Sequence, residues 1–155
     1  MMARALVIGI GNPDRGDDAV GIAVARALAA RAPPWVAVAE AGGDALALFD
    51  LWAEAERVVL VDATEPAGQP GRILRIDPAR DPLPRAAGPT SSHGFGLAEA
   101  VALARVLGRL PPLLAILGIE AMRFDPGAAL SAPVAAAVDE AIALITADLR
   151  EVSDA

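Results

Sequence analysis

Three side chains in this sequence could do acid–base or metal chemistry together: the carboxylates of Asp18 and Asp62 and the imidazole of His93. His93 is the only histidine, and there is no cysteine. Thiolate zinc sites, iron–sulfur clusters and disulfides are therefore excluded, and any metal must sit on oxygen and imidazole donors. No serine–acid arrangement accompanies the histidine, so no nucleophile stands out. Two carboxylates and one imidazole form a hard-to-borderline donor set that can leave positions open for water or substrate. Each residue also has a plainer role open to it. Asp17 and Asp18 stand where acids cap a helix and complement its dipole. Asp62 could bond the Ala63-Thr64 turn, and His93, beside Ser91, Ser92 and Gly94, could be an ordinary surface-loop residue.

The elements around these residues favour a shared site. Ala5–Ile10 is a short apolar run ending in Gly9-Ile10-Gly11-Asn12-Pro13, which reads as a buried strand and a turn. After Asp17-Asp18, apolar residues recur at Val20, Val24, Ala27 and Leu28 on one helical face, and Pro33-Pro34 stops the helix. Val36–Ala39 reads as a second strand, followed by Gly42-Gly43 and a short helix through Leu46 and Phe49. Val58–Val61 is fully apolar and so a central third strand, which Asp62 immediately follows. Arg72–Ile76 alternates like an edge strand. Residues 77–92 hold four prolines and no periodicity and are expected to form a mobile surface loop.

Gly94–Leu107 is helical, with Leu97, Val101 and Ala104 on one face, so His93 closes a loop where that helix starts. Leu113–Ile119 is the last strand. Ser131 is placed to cap a final helix whose stripe is Val134, Val138, Ala141, Ile142, Ile145 and Leu149. Strands alternating with helices predict a three-layer α/β domain, a mostly parallel sheet of about five strands with helices on both faces. In such sheets ligands bind at the carboxyl ends of the strands, which is where all three candidate residues fall.

Composition narrows the class. At 155 residues the chain is one domain, with no internal repeat. Its net charge of −7 argues against nucleic acid, because phosphate contacts need clustered basic residues. Three Phe, two Trp and no Tyr leave no aromatic platform for base stacking. No apolar stretch approaches the roughly 20 residues that span a bilayer, and no secretory signal opens the chain, so a cytoplasmic, non-membrane protein is expected. Nothing demands an oligomer, and a monomer is expected. Gly9-x-Gly11 begins like a dinucleotide fingerprint, but Asp14 holds the third glycine position, and Asp17 and Asp18 would repel a pyrophosphate at the helix N-terminus.

The ordered motifs resemble a known family, the [NiFe]-hydrogenase maturation endopeptidases. The resemblance is carried by Val7-Ile8-Gly9-Ile10-Gly11-Asn12 running on to Asp17-Asp18-Ala19-Val20-Gly21, then Ala41-Gly42-Gly43 and Val59-Leu60-Val61-Asp62-Ala63. It continues through Ser92-His93-Gly94-Phe95-Gly96-Leu97, Gly118-Ile119-Glu120 and Leu130-Ser131. It implies an endopeptidase that removes the C-terminal tail of a hydrogenase large-subunit precursor after nickel insertion. It also implies that Asp18, Asp62 and His93 contact nickel supplied by that precursor rather than a resident ion. Gly42, Gly43 and Asn12 are the candidates for contact with the substrate tail, although a simple turn explains the two glycines equally well. Some better-known members carry Glu where this chain has Asp18, and Ala121 stands where proline is expected.

Two other readings compete. Gly9-Ile10-Gly11-Asn12-Pro13 also resembles the opening of the peptidyl-tRNA hydrolases, but those need a histidine soon afterwards and a basic surface. A non-catalytic chaperone module that binds nickel or the precursor would use the same ligands, although a single histidine makes a poor storage site.

Overall fold

The computed structural model describes residues 5–42, 44–81 and 97–153. Five strands and four α-helices follow one another as β1 (Ala5–Ile10), α1 (Val20–Ala29), β2 (Val36–Ala41), α2 (Ala45–Trp52), β3 (Arg57–Thr64), β4 (Ile73–Ile76), α3 (Leu97–Leu107), β5 (Leu113–Glu120) and α4 (Ala132–Ser153), with a 3-10 turn over Gly16–Ala19 leading into α1. The strands form one sheet in the order β2-β1-β3-β5-β4, parallel except for the β4–β5 pair. This is the expected architecture, with β3 central and β4 at an edge.

The alternation of the strands sorts the core into two layers. Val7, Val59, Val61, Leu117 and Ile119 face α1 and α4, which return Val20, Val24, Leu28, Val134, Ala141 and Ile145. Leu6, Ile8, Val58, Leu60 and Ile116 face α2 and α3, which supply Leu48, Phe49, Trp52, Val101 and Ala104. A strand covered on both sides must be apolar throughout, and β1 is buried at all six positions. Trp52 can be buried because its indole N–H donates to the Arg109 carbonyl at 2.8 Å. Asp44 caps α2, accepting from Leu46 N–H at 3.0 Å, a cap the sequence reading did not single out.

Several boundaries differ from expectation. β2 runs on to Ala41 and β3 to Thr64, so Asp62 lies inside β3 rather than just beyond it. The pairing with β5, Asp62↔Gly118 to Thr64↔Glu120, supplies the ladder bonds that extend β3 past its apolar stretch. β4 begins at Ile73. The loop expected over 77–92 is described only as far as Asp81. The rest of that loop, His93 and the expected helix start at Gly94 lie outside the described residues, as does Gly43.

The sheet order places a topological switch between β1 and β3. From β1 the chain moves outward to β2, then returns across β1 to continue on the other side through β3. A crevice opens where crossovers leave a sheet in opposite directions, at the carboxyl ends of the strands. α1 sits very close to that point. A Cβ on Gly21 would lie 2.3 Å from the Val61 carbonyl oxygen and 2.5 Å from that of Ile10, and one on Gly9 would lie 2.2 Å from the Gly21 carbonyl oxygen. These obstacles are backbone atoms that no side-chain rotation removes. Gly21→Ala is therefore expected to lower stability by about 3 kcal/mol, the upper part of the usual range for overpacking, as read from the urea midpoint at unchanged m-value.

Candidate active site

The loop that follows β1 is built to present Asp18. Gly11 has φ +145°, and a Cβ there would lie 1.9 Å from the Asp18 carbonyl oxygen, so only glycine lets the chain fold back this tightly. Gly11 N–H donates to the Ala41 carbonyl at the end of β2, and the Asn12 side-chain oxygen accepts from Asp14 N–H at 2.9 Å, a turn typical of asparagine. Asn12 N–H then donates to Asp18 Oδ2 at 3.2 Å. Asp18 is thus held at the mouth of the crevice, half-buried, in the turn that opens α1.

Asp62 reaches the same place from the sheet. It continues the row Val58, Leu60 on the α2/α3 face and accepts from Ala63 N–H at 2.8 Å through Oδ1. Its neighbour across the ladder is Gly118, and the space a side chain would need there is taken by Thr64, whose Cγ2 would stand 2.7 Å from a Cβ. The Asp62 pKa is pushed up to about 8, first by burial of the carboxyl, then by the charge of Asp18, against the lowering effect of the Ala63 hydrogen bond. The two sequence-predicted acids therefore act on one another. Together they form a pair that holds a proton near neutral pH or welcomes a cation between them.

The other expected site residues stand as follows. Gly42 is exposed at the end of β2, with nothing within 4 Å of where a Cβ would be, so no packing constraint requires glycine there. His93 and Gly43 lie outside the described residues. Among the described residues no group of three or more His, Cys, Asp or Glu side chains stands close enough together to hold a metal ion. Nor is any helix of the described residues long and apolar enough to cross a membrane.

Asp17 overturns the expectation attached to it. It caps nothing, and its carboxylate is fully buried. Oδ2 accepts from Met122 N–H at 2.8 Å, Arg123 N–H at 3.1 Å and the Ser131 hydroxyl at 2.8 Å, while Oδ1 accepts from Ser131 N–H at 2.7 Å. Burial alone would raise its pKa. The four donated hydrogen bonds more than offset that, and the pKa lies below its ordinary value of 3.8. Ser131 does precede α4, its carbonyl accepting from Ala135 N–H, but its hydroxyl serves Asp17. Nothing local in the sequence marks Asp17, because its donors lie more than a hundred residues away.

Glu120 is likewise buried at a strand end. Its side chain accepts from Gln69 N–H, and its main chain pairs with Gly71 and Arg72, so it ties down the β3–β4 connection.

Residues 22–148 match the family model described as hydrogenase maturation protease. The chain is 27% identical over 151 residues to the hydrogenase 2 maturation protease of Escherichia coli (strain K12), spanning 96% of this chain and 92% of that one. It is 32% identical over 136 residues to the hydrogenase expression/formation protein HupD of Bradyrhizobium diazoefficiens, spanning 84% of this chain and 70% of that one. The solved structure of the hydrogenase maturating endopeptidase HybD from E. coli superposes with a TM-score of 0.74 at 27% identity, over 96% of this chain and 93% of that one.

The two perturbed acids predict opposite pH behaviour. Asp17 has a depressed pKa when folded, so its stabilisation is complete above the ordinary carboxylate pKa and is lost as pH falls through the folded value. Asp17→Asn should cost about 2–3 kcal/mol at neutral pH and flatten the acid limb of the stability curve. Asp62 has a raised pKa, so it increasingly destabilises the fold as pH climbs from the ordinary 3.8 to about 8. Asp62→Asn should therefore be more stable than the wild type, by a margin that grows between pH 5 and pH 8. Urea midpoints across that range check both.

Proposed function

This chain belongs to the hydrogenase maturation protease family, and from that premise we propose that it removes the C-terminal extension of a [NiFe]-hydrogenase large-subunit precursor once nickel has been inserted. The observation that carries this reading is the convergence of Asp18 and Asp62 at the switch-point crevice, where burial and the charge of Asp18 make that of Asp62 costly. A carboxyl buried beside a second carboxylate suits a place that receives a cation, because positive charge relieves the cost of ionising both.

The donor set suits nickel as part of the substrate. Asp18 and Asp62 supply oxygen, and His93 is proposed as the third donor, an imidazole suited to a borderline divalent ion. When bound, such an ion can polarise a carbonyl or lower the pKa of water. The chain's own part is a proton exchange. Before the precursor docks, Asp62 keeps its proton near neutral pH, and docking of a loaded precursor displaces that proton to solvent as positive charge takes its place. A nickel-free precursor offers no such compensation, so the pair disfavours it. The Asp62 oxygen that does not hold the ion is then available as a base in peptide-bond hydrolysis.

Gly42, Gly43 and Asn12 are proposed to lie along the extended tail. At Gly42 the open space where a Cβ would stand lets a substrate backbone approach. The reaction is proposed to take place in the cytoplasm, with the protease acting as a monomer.

The test is intact mass of a nickel-loaded precursor before and after incubation, with nickel-free precursor alongside. Loss of one short C-terminal peptide is expected only from the loaded form. Asp18→Asn, Asp62→Asn and His93→Ala should each slow that loss by roughly two orders of magnitude or more, while Asp18→Glu, which keeps the carboxylate, should retain it. Equal cleavage of the nickel-free form would refute the metal gate. No cleavage of any loaded precursor would leave only the binding-module reading.

A further inference from the structure

A second site lies at the opposite end of the sheet from Asp18 and Asp62. β5 starts at Leu113, but its pairing with β4 stops at Ile76↔Ile116. Among the described residues, the edge of β5 before Ile116 therefore has no strand beside it on that side. Leu113 N–H donates to the Glu56 carbonyl on the β3 side at 3.1 Å, whereas Glu120 N–H donates to the Arg72 carbonyl on the β4 side at 2.9 Å. By the alternation of strand hydrogen bonds, the N–H and C=O of Leu114 point to the β4 side, where the ladder has ended. A cleft of about 600 Å³ occupies that space, between β5 and the residues following β4. Its volume is in the range of ligand-binding sites.

The lining is chemically specific. Three arginines contribute to it: Arg57, Arg75 and Arg105. Such a concentration is notable in a chain with 13 basic residues against 20 acidic ones. Arg75 is paired with Asp148, and Arg105 donates one bond to the Pro78 carbonyl, leaving its other N–H groups available. Arg57 is the telling case, because its Nε is buried and has no hydrogen-bond partner among the described residues. A buried donor left unmet is costly, and an acceptor within the cleft would remove that cost. The one acid in the lining, Asp77, already accepts from Ala79 N–H and lies 3.9 Å from Arg80. The rest of the wall is apolar and includes Leu110, Leu113 and Leu114. Leu113 is more than half exposed, and Val106 and Leu107 stand exposed on the last turn of α3 beside Arg105.

We propose that this cleft binds an extended, carboxylate-bearing peptide segment of a partner protein, laid along the open edge of β5. Each feature has a use for such a ligand. The Leu114 main chain adds a strand, the leucines take apolar side chains, and the arginines take carboxylates through forked, charge-assisted hydrogen bonds. A free inorganic anion would use the arginines alone and leave the leucines and the strand edge idle. Arg57 and Asp62 are five residues apart on β3, about 17 Å, so the segment does not compete with the acidic crevice. The site stands whether or not the proposed proteolysis does.

The test is a titration of the full-length, ¹⁵N-labelled protein with three probes. These are a blocked heptapeptide alternating leucine and glutamate, the same peptide with lysine for glutamate, and inorganic phosphate. The glutamate peptide should shift the amides of Leu113, Leu114 and Ala115 saturably, and the other two probes should not. Arg105→Gln, on an exposed residue outside the core, should weaken binding at least tenfold, as should Arg57→Gln. The inference is overturned if the glutamate peptide leaves these amides unmoved or the lysine peptide binds equally well. It is also overturned if phosphate reproduces the shifts and displaces the peptide, or if Arg105→Gln binds like the wild type.

Discussion

One buried carboxylate organises this molecule. Asp17 draws four hydrogen bonds from Met122, Arg123 and Ser131, and so joins the loop after β1 to the connection between β5 and α4. Charge-assisted bonds of this kind contribute about 1.5–3 kcal/mol each, against a desolvation cost of several kcal/mol for the ion. The balance favours the ion because every donor is in place. Around this anchor, Asp17 N–H donates to the Arg123 carbonyl and Gly127 N–H to that of Asp14, which stitches the two loops together along their length. The turn that carries Asp18 is therefore braced by the far end of the chain.

The same chemical group does opposite work on β3. Asp17 and Asp62 are both carboxylic acids removed from water, yet their pKa values move in opposite directions. The difference lies in the number of donors aimed at each. Among the described residues Asp17 receives four, while Asp62 receives one, from Ala63, and faces the negative charge of Asp18. Among the described residues the fold thus satisfies one acid fully and leaves the partner of its neighbour with a single donor, which stabilises the first position and costs stability at the second.

Local features of this fold are legible in the residues themselves, and those that depend on distant partners are not. The buried strands and the α4 stripe were legible because burial on one or both faces writes a period into the residues themselves. Asp18 and Asp62 were legible as candidates because an acid at a strand exit stands out against apolar runs. The true extent of β3 was not, since Asp62, Ala63 and Thr64 are held in the strand by β5, fifty-six residues on in the ladder. The role of Asp17 was not either. An Asp-Asp pair opening a helix reads as capping, and only the return of the chain at Met122 and Ser131 reveals the donors. The arginine cleft was invisible for the same reason, because Arg57, Arg75 and Arg105 are brought to one end of the sheet by topology alone.

The closeness of α1 to the sheet turns this bracing into a site. Asp18 has a short side chain, so it can act on Asp62 only if the turn that bears it sits low over the strand ends. Gly9 and Gly21 allow that approach, with the backbones of β1, β3 and α1 filling the space their side chains would have taken. Gly11 then folds the loop back so that its own missing Cβ makes room for the Asp18 carbonyl. A larger residue at any of these three positions would lift the turn by about a bond length or more. The Coulombic coupling between two half-buried acids falls with distance and with the water that enters behind it, so it would decline at once. The glycines of the opening motif, for all their likeness to a dinucleotide loop, are accounted for by the close packing of α1 and its leading turn on the strand ends that bear the two carboxylates.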